Sequence, residues 1–190
     1  MLQMAIPQVP MLFGSPGSLP TSSLPFGLAR GRMNDMLAPS KNRIGIISSD
    51  TNAQMVDSAK TLYNPQSQLA EQWDDGHLGN LQGFEMYESP DLPSVTNGNL
   101  VTGITVSGAS QTGSSLLVAG TSTGTTFTVG QRFTIAGVYA VHPLNGLAYP
   151  WLQQFVVTSA TTATGSTCSV PIYPAIAPVA ANTPMPRSEE

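Results

Sequence analysis

Apolar side chains recur at helical spacing early in the chain. Across residues 26–38 they fall on one helix face, and Pro39 ends the pattern. Residues 43–48 form a short apolar run of strand length. Ser49 or Asp50 then offers an N-cap for a second helix. The pattern therefore predicts a helix, a strand and a helix in that order.

The next segment contains one further helix signal and one strand signal. Pro65 is a favourable first helical residue, and it starts a short predicted helix that runs to Trp73. Residues 83–88 alternate between apolar and polar side chains, which is typical of a half-buried strand. The first half of the chain is thus expected to mix helices with strands.

From residue 101 onward, the chain consists of short strand-like runs separated by glycine or Asn-Gly. The predicted strands are residues 101–107, 115–119, 125–129, 132–141, 152–159 and 167–173. Strands at this spacing indicate a small antiparallel barrel or sandwich. Together with the helices before them, they predict an α+β protein whose second half is a six-stranded antiparallel β-barrel.

Proline and charge divide the chain into four segments. Residues 1–25 hold five prolines and are expected to form an extended arm, because proline removes a backbone donor and fixes φ. Residues 26–92 carry nearly all of the charges, whereas residues 93–176 carry one full charge, Arg132. This shift predicts a domain boundary between the two segments. Residues 177–190 are expected to form an extended tail.

Composition narrows the classes of function. The 190 residues suffice for one ordinary domain or two small ones. The net charge is −4 and no basic patch is present, so binding of nucleic acid through its phosphates is not expected. No apolar run reaches the ~18 residues that span a bilayer. Only 9% of the residues are charged while 41% are hydrophobic, which predicts a chain that hides surface against copies of itself.

Few residues are suited to catalysis or metal binding. Cys168 is the only cysteine, and His77 and His142 are the only histidines, which leaves little for a zinc site. Gly120-Thr-Ser-Thr-Gly124 matches the G-x-S-x-G pattern of hydrolase nucleophiles. That motif needs a helix after the serine, and a strand-like run follows here, so a hairpin turn is predicted. We expect no enzyme activity, no cofactor and no metal.

Seven segments, taken in order, carry a resemblance to a known family. They are Ala29-Arg-Gly-Arg-Met-Asn-Asp-Met36, Arg43-Ile-Gly-Ile-Ile-Ser48, the helix from Asp50 to Tyr63, Gly83-Phe-Glu-Met-Tyr-Glu-Ser-Pro-Asp-Leu-Pro93, Thr102-Gly-Ile-Thr-Val-Ser-Gly-Ala109, Phe133-Thr-Ile-Ala-Gly-Val138 and Leu152-Gln-Gln-Phe-Val-Val-Thr158. In this order they resemble the major coat proteins of P-twenty-two-type short-tailed bacteriophages. In that family, a capsid core of the HK-ninety-seven type is interrupted by an inserted six-stranded β-barrel.

The resemblance implies a role for each half of the chain. Residues 26–92 would belong to the capsid core, and residues 93–176 would be the inserted barrel. Family members carry a long spine helix before the first of these segments and further core elements after the barrel. This chain shows neither pattern. It is therefore expected to be the central portion of a coat protein.

The function implied by the resemblance is structural. The chain would be a major capsid protein, or a truncated piece of one, that self-associates to enclose a phage genome. Its partners would be other coat subunits, a scaffolding protein and a portal ring, with neither sequence-specific nucleic acid nor membrane. It would be made in the host cytoplasm and would reside in the virion. The alternative is a β-rich surface module that recognises a glycan or a protein, because Thr, Ser and aromatic loop residues suit that task.

Two loops are candidates for contacts between subunits. One loop is predicted from Tyr139 to Trp151, and it also contains His142 and Tyr149. Aromatic residues are enriched at protein interfaces, which makes these side chains candidate anchors. The other is the predicted turn from Ala119 to Gly124, which contains Ser122.

Overall fold

The computed structural model describes residues 9–14, 17–59, 79–92, 94–99 and 103–177. The chain is an α+β protein that divides into two compact units. The helical unit is Phe13–Leu92, and the barrel unit is Met1–Leu12 together with Pro93–Glu190. The division after Leu92 falls where the charge composition changes, and the predicted arm is shared between the two units.

The helical unit contains two helices and a small mixed sheet. In chain order its elements are α1 (Leu24–Asp35), β1 (Ile44–Ile47), α2 (Ser49–Ala59), β2 (Asn80–Leu81) and β3 (Phe84–Glu88). The strand order is β1-β3-β2, with β1 parallel and β2 antiparallel to β3. The buried core of this unit consists of Ile47, Met55, Phe84 and Met86. The helix and strands predicted at residues 26–38, 43–48 and 83–88 are confirmed.

Local chemistry explains the bounds of α1. The helix begins at Leu24, two residues before the prediction, because Pro25 fits in the first turn, where its missing N–H needs no partner. It ends before Leu37, which takes a left-handed φ of 61°. The Ala38 N–H then donates to the Met33 carbonyl at 2.8 Å, which satisfies an acceptor of the last turn.

The start of α2 corrects the predicted cap. Ser48 caps the helix, rather than Ser49 or Asp50, because its Oγ accepts a hydrogen bond of 3.3 Å from the Thr51 N–H. An N-cap hydroxyl normally satisfies the N–H three residues later, which is the spacing seen here. The helix predicted at residues 65–73 lies outside the described residues.

The barrel unit is built from short strands. Those in its described part are β4 (Thr105–Val106), β5 (Gly113–Ala119), β6 (Thr126–Phe127), β7 (Arg132–Val141), β8 (Ala148–Val157), β9 (Thr161–Thr162) and β10 (Thr167–Ile176). Five of them form an antiparallel sheet in the order β4-β5-β10-β8-β7, which is nearly closed and barrel-like. β6 and β9 form a separate antiparallel pair.

The core of the barrel unit lies on the inner face of this sheet. Alternate residues of β5, β8 and β10 point inward, because successive strand side chains face opposite ways. The buried side chains are Leu116, Val118, Phe127, Phe155, Val157, Ala163, Cys168, Val170 and Ile172. Cys168 is therefore a small core residue. Burial raises the pKa of its thiol.

The sequence predicted six strands in one barrel, whereas the barrel-like sheet of the described residues has five. Residues 125–129 form only the two-residue strand β6, which lies outside the five-stranded sheet. The Thr126 N–H is taken by the Asn99 Oδ1 at 2.6 Å, and the Thr128 hydroxyl donates to the Thr96 carbonyl at 2.6 Å. Segment 94–99 therefore binds this stretch through the backbone N–H of Thr126 and the side chain of Thr128.

Candidate interaction surface

The predicted loop from Tyr139 to Trp151 is a β-hairpin, which corrects the sequence interpretation. Tyr139 lies in β7, whereas Tyr149 and Trp151 lie in β8. Only residues 142–147 form the connecting turn. Pro143, Pro150 and Asn145-Gly146 gave this segment the composition of a loop, although aromatic side chains on either side favour strands.

His142 organises the turn of this hairpin. Its Nδ1 accepts hydrogen bonds from the Leu144 N–H at 3.1 Å and from the Asn145 N–H at 3.4 Å. Its own N–H donates to the Leu147 carbonyl at 2.9 Å, and its carbonyl accepts from the Gly146 N–H at 2.9 Å. The side chain and the backbone of His142 together satisfy four polar groups of the turn. Its role in the described structure is therefore positional.

Three aromatic rings form a row behind the turn. The rings of Tyr149 and Trp151 are stacked, with centroids 4.0 Å apart and an interplanar angle of 16°. The His142 ring lies 5.9 Å from that of Tyr149. Residues i and i+2 of a strand share a face, which places both large rings on one side of β8. The row stiffens a hairpin whose pairing is irregular between Tyr139 and Val141.

The end of the hairpin exposes large apolar side chains to solvent. Tyr139 is 52% exposed, Val141 43%, Leu144 63% and Leu147 67%. We call these four residues the hairpin patch. No charged residue occurs between Arg132 and the last described residue, 177. The patch therefore has no charged side chain among its sequence neighbours. Large exposed apolar patches mark sites of association, and four such side chains fall within nine residues here.

Ser122 does not join the other predicted contact residues. Its N–H donates to the Thr125 Oγ1 at 3.1 Å, within a turn closed by a bond from the Thr125 N–H to the Ser122 carbonyl. The turn is attached to residues 163–166, since Thr121 Oγ1 donates to the Gly165 carbonyl at 2.8 Å. Residues 163–166 come after β8 in the sequence, whereas the hairpin turn comes before it. The nine residue steps of β8 place about 30 Å of strand between them.

The predicted contact residues therefore form two groups rather than one. Tyr139, His142, Tyr149 and Trp151 share the hairpin, whereas Ser122 belongs to a turn at the opposite end of β8. Strand β6 follows that turn, and no helix starts there. The G-x-S-x-G match is therefore a turn between two strands, but the prediction of a hairpin turn is wrong, because β5 and β6 belong to different sheets.

Sequence reasoning missed a contact between the arm and the barrel. The side-chain amide of Gln154 pairs with the backbone of Leu12: Oε1 accepts from the Leu12 N–H at 2.7 Å, and Nε2 donates to the Leu12 carbonyl at 3.2 Å. The Arg132 Nε donates to the Val9 carbonyl at 2.9 Å. We call Arg132 and Gln154 the arm site. No local pattern signals this contact, because 142 residues separate Leu12 from Gln154.

The described residues contain no group of three His, Cys, Asp or Glu side chains close enough to hold a metal ion. Helices in this part of the chain are also too short and too polar to cross a membrane. His77 lies outside the described residues. Comparison with models of known protein families finds no match for this chain, and comparison with curated proteins finds none.

Proposed function

We propose that this chain is a structural virion protein: a major capsid protein, or a truncated piece of one, that self-associates to enclose a phage genome. The observation that carries the proposal is the hairpin patch, in which four large apolar side chains stand exposed at the end of an ordered hairpin. A symmetric shell needs such surfaces, because each copy buries the same patches against its neighbours.

Energetics favour association through this patch. Complete burial of a leucine side chain contributes about 1.5–3 kcal/mol. Leu144 and Leu147 are each about two-thirds exposed, so covering both would contribute roughly 2–4 kcal/mol per copy before the cost of ordering. Residues 133–177 contain no Asp, Glu, Lys or Arg, so covering the patch desolvates no ion from these sequence neighbours. In an assembly of many copies, this modest gain in free energy is repeated at every contact.

The order of elements also supports the proposal. A helix, a strand, a helix and a strand pairing parallel to the first precede a barrel-like antiparallel sheet. We assign residues 26–92 to a capsid core segment of the HK-ninety-seven type and residues 93–176 to an inserted β-barrel. Further copies of the chain are its main partners, with a scaffolding protein and a portal ring during assembly. Its location is the virion, it is made in the host cytoplasm, and its role is not catalytic.

Sedimentation velocity with negative-stain microscopy tests this function. We expect the purified 190-residue chain to form fast-sedimenting rings or shells. The double variant Leu144→Ser with Leu147→Ser should sediment as a folded, slower species. Leu24→Ser is the matched control, because Leu24 is also 63% exposed but lies on α1. A wild-type chain that stays monomeric at high concentration would refute the proposal.

A glycan- or protein-binding module of a virion or cell surface is the second candidate. The stacked Tyr149 and Trp151 rings favour it, because flat aromatic surfaces with polar edges are suited to recognition. Stoichiometry in a purified particle separates the two functions: a shell protein is the most abundant chain, and a binding module is a minor one. Binding to a glycan panel that Trp151→Ala abolishes would favour the module.

A further inference from the structure

The arm site lies on the outer face of the hairpin, away from the barrel core. Arg132 pairs with Val156 and Thr134 pairs with Gln154 across β7 and β8, so all four side chains share one face. Phe133 faces the opposite way and packs on the core. Val156 is 0% exposed although it points outward. On this face it lies between Arg132 and Gln154, the two residues that bind the arm.

The arm is recognised through its backbone. Gln154 contacts the N–H and the carbonyl of Leu12, and Arg132 contacts the carbonyl of Val9. Val9 remains 50% exposed and Leu12 38% exposed, so neither side chain is enclosed. Burial lowers the pKa of Arg132, which remains a cation suited to a carbonyl acceptor. The site thus selects an extended segment in a given position rather than a particular side chain.

The same contacts can form within one chain or between two. The arm is followed in sequence by the whole helical unit, Phe13–Leu92, before the chain returns to the barrel. No short linker therefore holds the arm at its own site, and the arm of another copy can compete for that site. Exchange of an identical element between copies therefore costs little free energy.

We propose that the arm site binds residues 9–12 of a second copy of this chain, so that associating copies exchange their arms. This inference rests on the self-association proposed above. The occupant is defined by the structure itself, because residues 9–12 already fit between Arg132 and Gln154. The exchange links neighbours through backbone hydrogen bonds, independently of the hairpin patch.

Two full-length variants with complementary defects test the exchange. Leu12→Pro removes the N–H that donates to the Gln154 Oε1, but it leaves the arm site intact. Gln154→Met disables the arm site through loss of both hydrogen-bonding groups, but it leaves the arm intact. Only the Gln154→Met chain has a Leu12 amide. Protection of that amide in an equimolar mixture, measured by hydrogen–deuterium exchange, therefore reports docking on the other chain.

We expect the Leu12 amide of the Gln154→Met chain to exchange rapidly alone and roughly tenfold more slowly in the mixture. The control is a mixture with the double variant Leu12→Pro, Gln154→Met, which lacks the acceptor for the Leu12 N–H and should give no protection. A synthetic peptide of residues 1–14 provides a second measurement on the Leu12→Pro chain. Protection in the mixture establishes exchange. Rapid exchange in the mixture overturns it, whether or not the peptide binds.

Sedimentation of the wild-type chain separates this inference from the proposed function. If wild-type chains assemble and the mixture shows no protection, arm exchange is wrong and self-association stands. If wild-type chains form only dimers or small oligomers, with no rings or shells, while the Leu12 amide is protected in the mixture, the capsid function is wrong and the exchange is real.

Discussion

Tyr149 stacks on Trp151 with ring centroids 4.0 Å apart, two residues along the same strand. The intervening residue, Pro150, cannot donate a backbone hydrogen bond, so this stretch of β8 contributes less to the ladder than an ordinary strand segment. The ring pair supplies part of the order that the ladder lacks. The hairpin patch depends on that order, because a frayed hairpin would present its apolar residues in no fixed arrangement.

Loss of the stack should therefore loosen the hairpin. We expect Trp151→Ala to lower the free energy of unfolding by about 2 kcal/mol, from lost burial and lost ring contact. Trp151→Phe keeps a flat ring and should cost less than about 1.5 kcal/mol. Urea unfolding followed by far-UV circular dichroism measures both variants. Equal losses for the two would show that the stack contributes nothing.

The acceptor at His142 Nδ1 should decide whether the turn is ordered. His142→Phe keeps a ring beside Tyr149 but removes the acceptor for the Leu144 and Asn145 N–H groups. Its cost should be about 1 kcal/mol, and the Leu144 amide should exchange faster. His142→Asn retains a short side-chain acceptor and should keep more of the protection. Slow exchange in His142→Phe would contradict this role.

Stability should fall in acid because of Glu88. Hydrogen bonds from the Ser49 hydroxyl at 2.6 Å and the Asn52 amide at 2.7 Å lower the pKa of this carboxyl below its ordinary value of 4.5. A lowered pKa gives stability that is complete above pH 4.5 and is lost as the pH falls through the lowered value. Denaturant midpoints between neutral pH and about pH 3 should show this loss.

The matched variant for Glu88 is Glu88→Gln, which keeps the shape of the side chain but cannot titrate. It should be less stable than the wild type at neutral pH, and the difference should shrink as the pH falls below 4.5. Ser49→Ala removes the hydrogen bond that lowers this pKa most and should weaken the acid dependence. Parallel curves for wild type and Glu88→Gln would show that Glu88 is not responsible.

Two glycines of the turn that holds Ser122 provide a paired test. Gly120 and Gly124 have φ values of 83° and 90°, so alanine is strained at either position. A Cβ at Gly120 would also lie 2.5 Å from the Gly103 carbonyl oxygen, whereas a Cβ at Gly124 would meet nothing within 4 Å. Gly124→Ala should cost about 1 kcal/mol, and Gly120→Ala should cost about 1–2 kcal/mol more. Equal costs, measured by urea unfolding, would exclude the steric clash.

Elements with a clear period could be predicted from the sequence. Residues 83–88 alternate in a manner typical of strands, and Phe84 and Met86 are buried as that alternation requires. The Gly120–Gly124 turn was also recognisable, because a strand-like run follows it. In these cases local chemistry and the final packing favour the same structure.

The hairpin and the arm site could not be predicted in the same way. Pro143, Pro150 and Asn145-Gly146 have loop chemistry, and only pairing between β7 and β8 turns the flanking residues into strands. Residues 125–129 bind the side chain of Asn99 through the Thr126 N–H, and no local pattern signals a contact across 27 residues. The contact of Leu12 with Gln154 spans 142 residues, and no periodic pattern in the sequence signals it.

The use of Arg132 has a consequence for the response of this protein to salt. It is the single full charge between Leu92 and Pro186, and its guanidinium binds a backbone carbonyl of the arm. Dissolved ions screen attractions between opposite charges and so weaken them. Contacts made through this half of the chain contain almost no such attractions. Its cohesion should hardly change with ionic strength. Excluded salts such as sulfate should strengthen it, as they strengthen any burial of apolar surface.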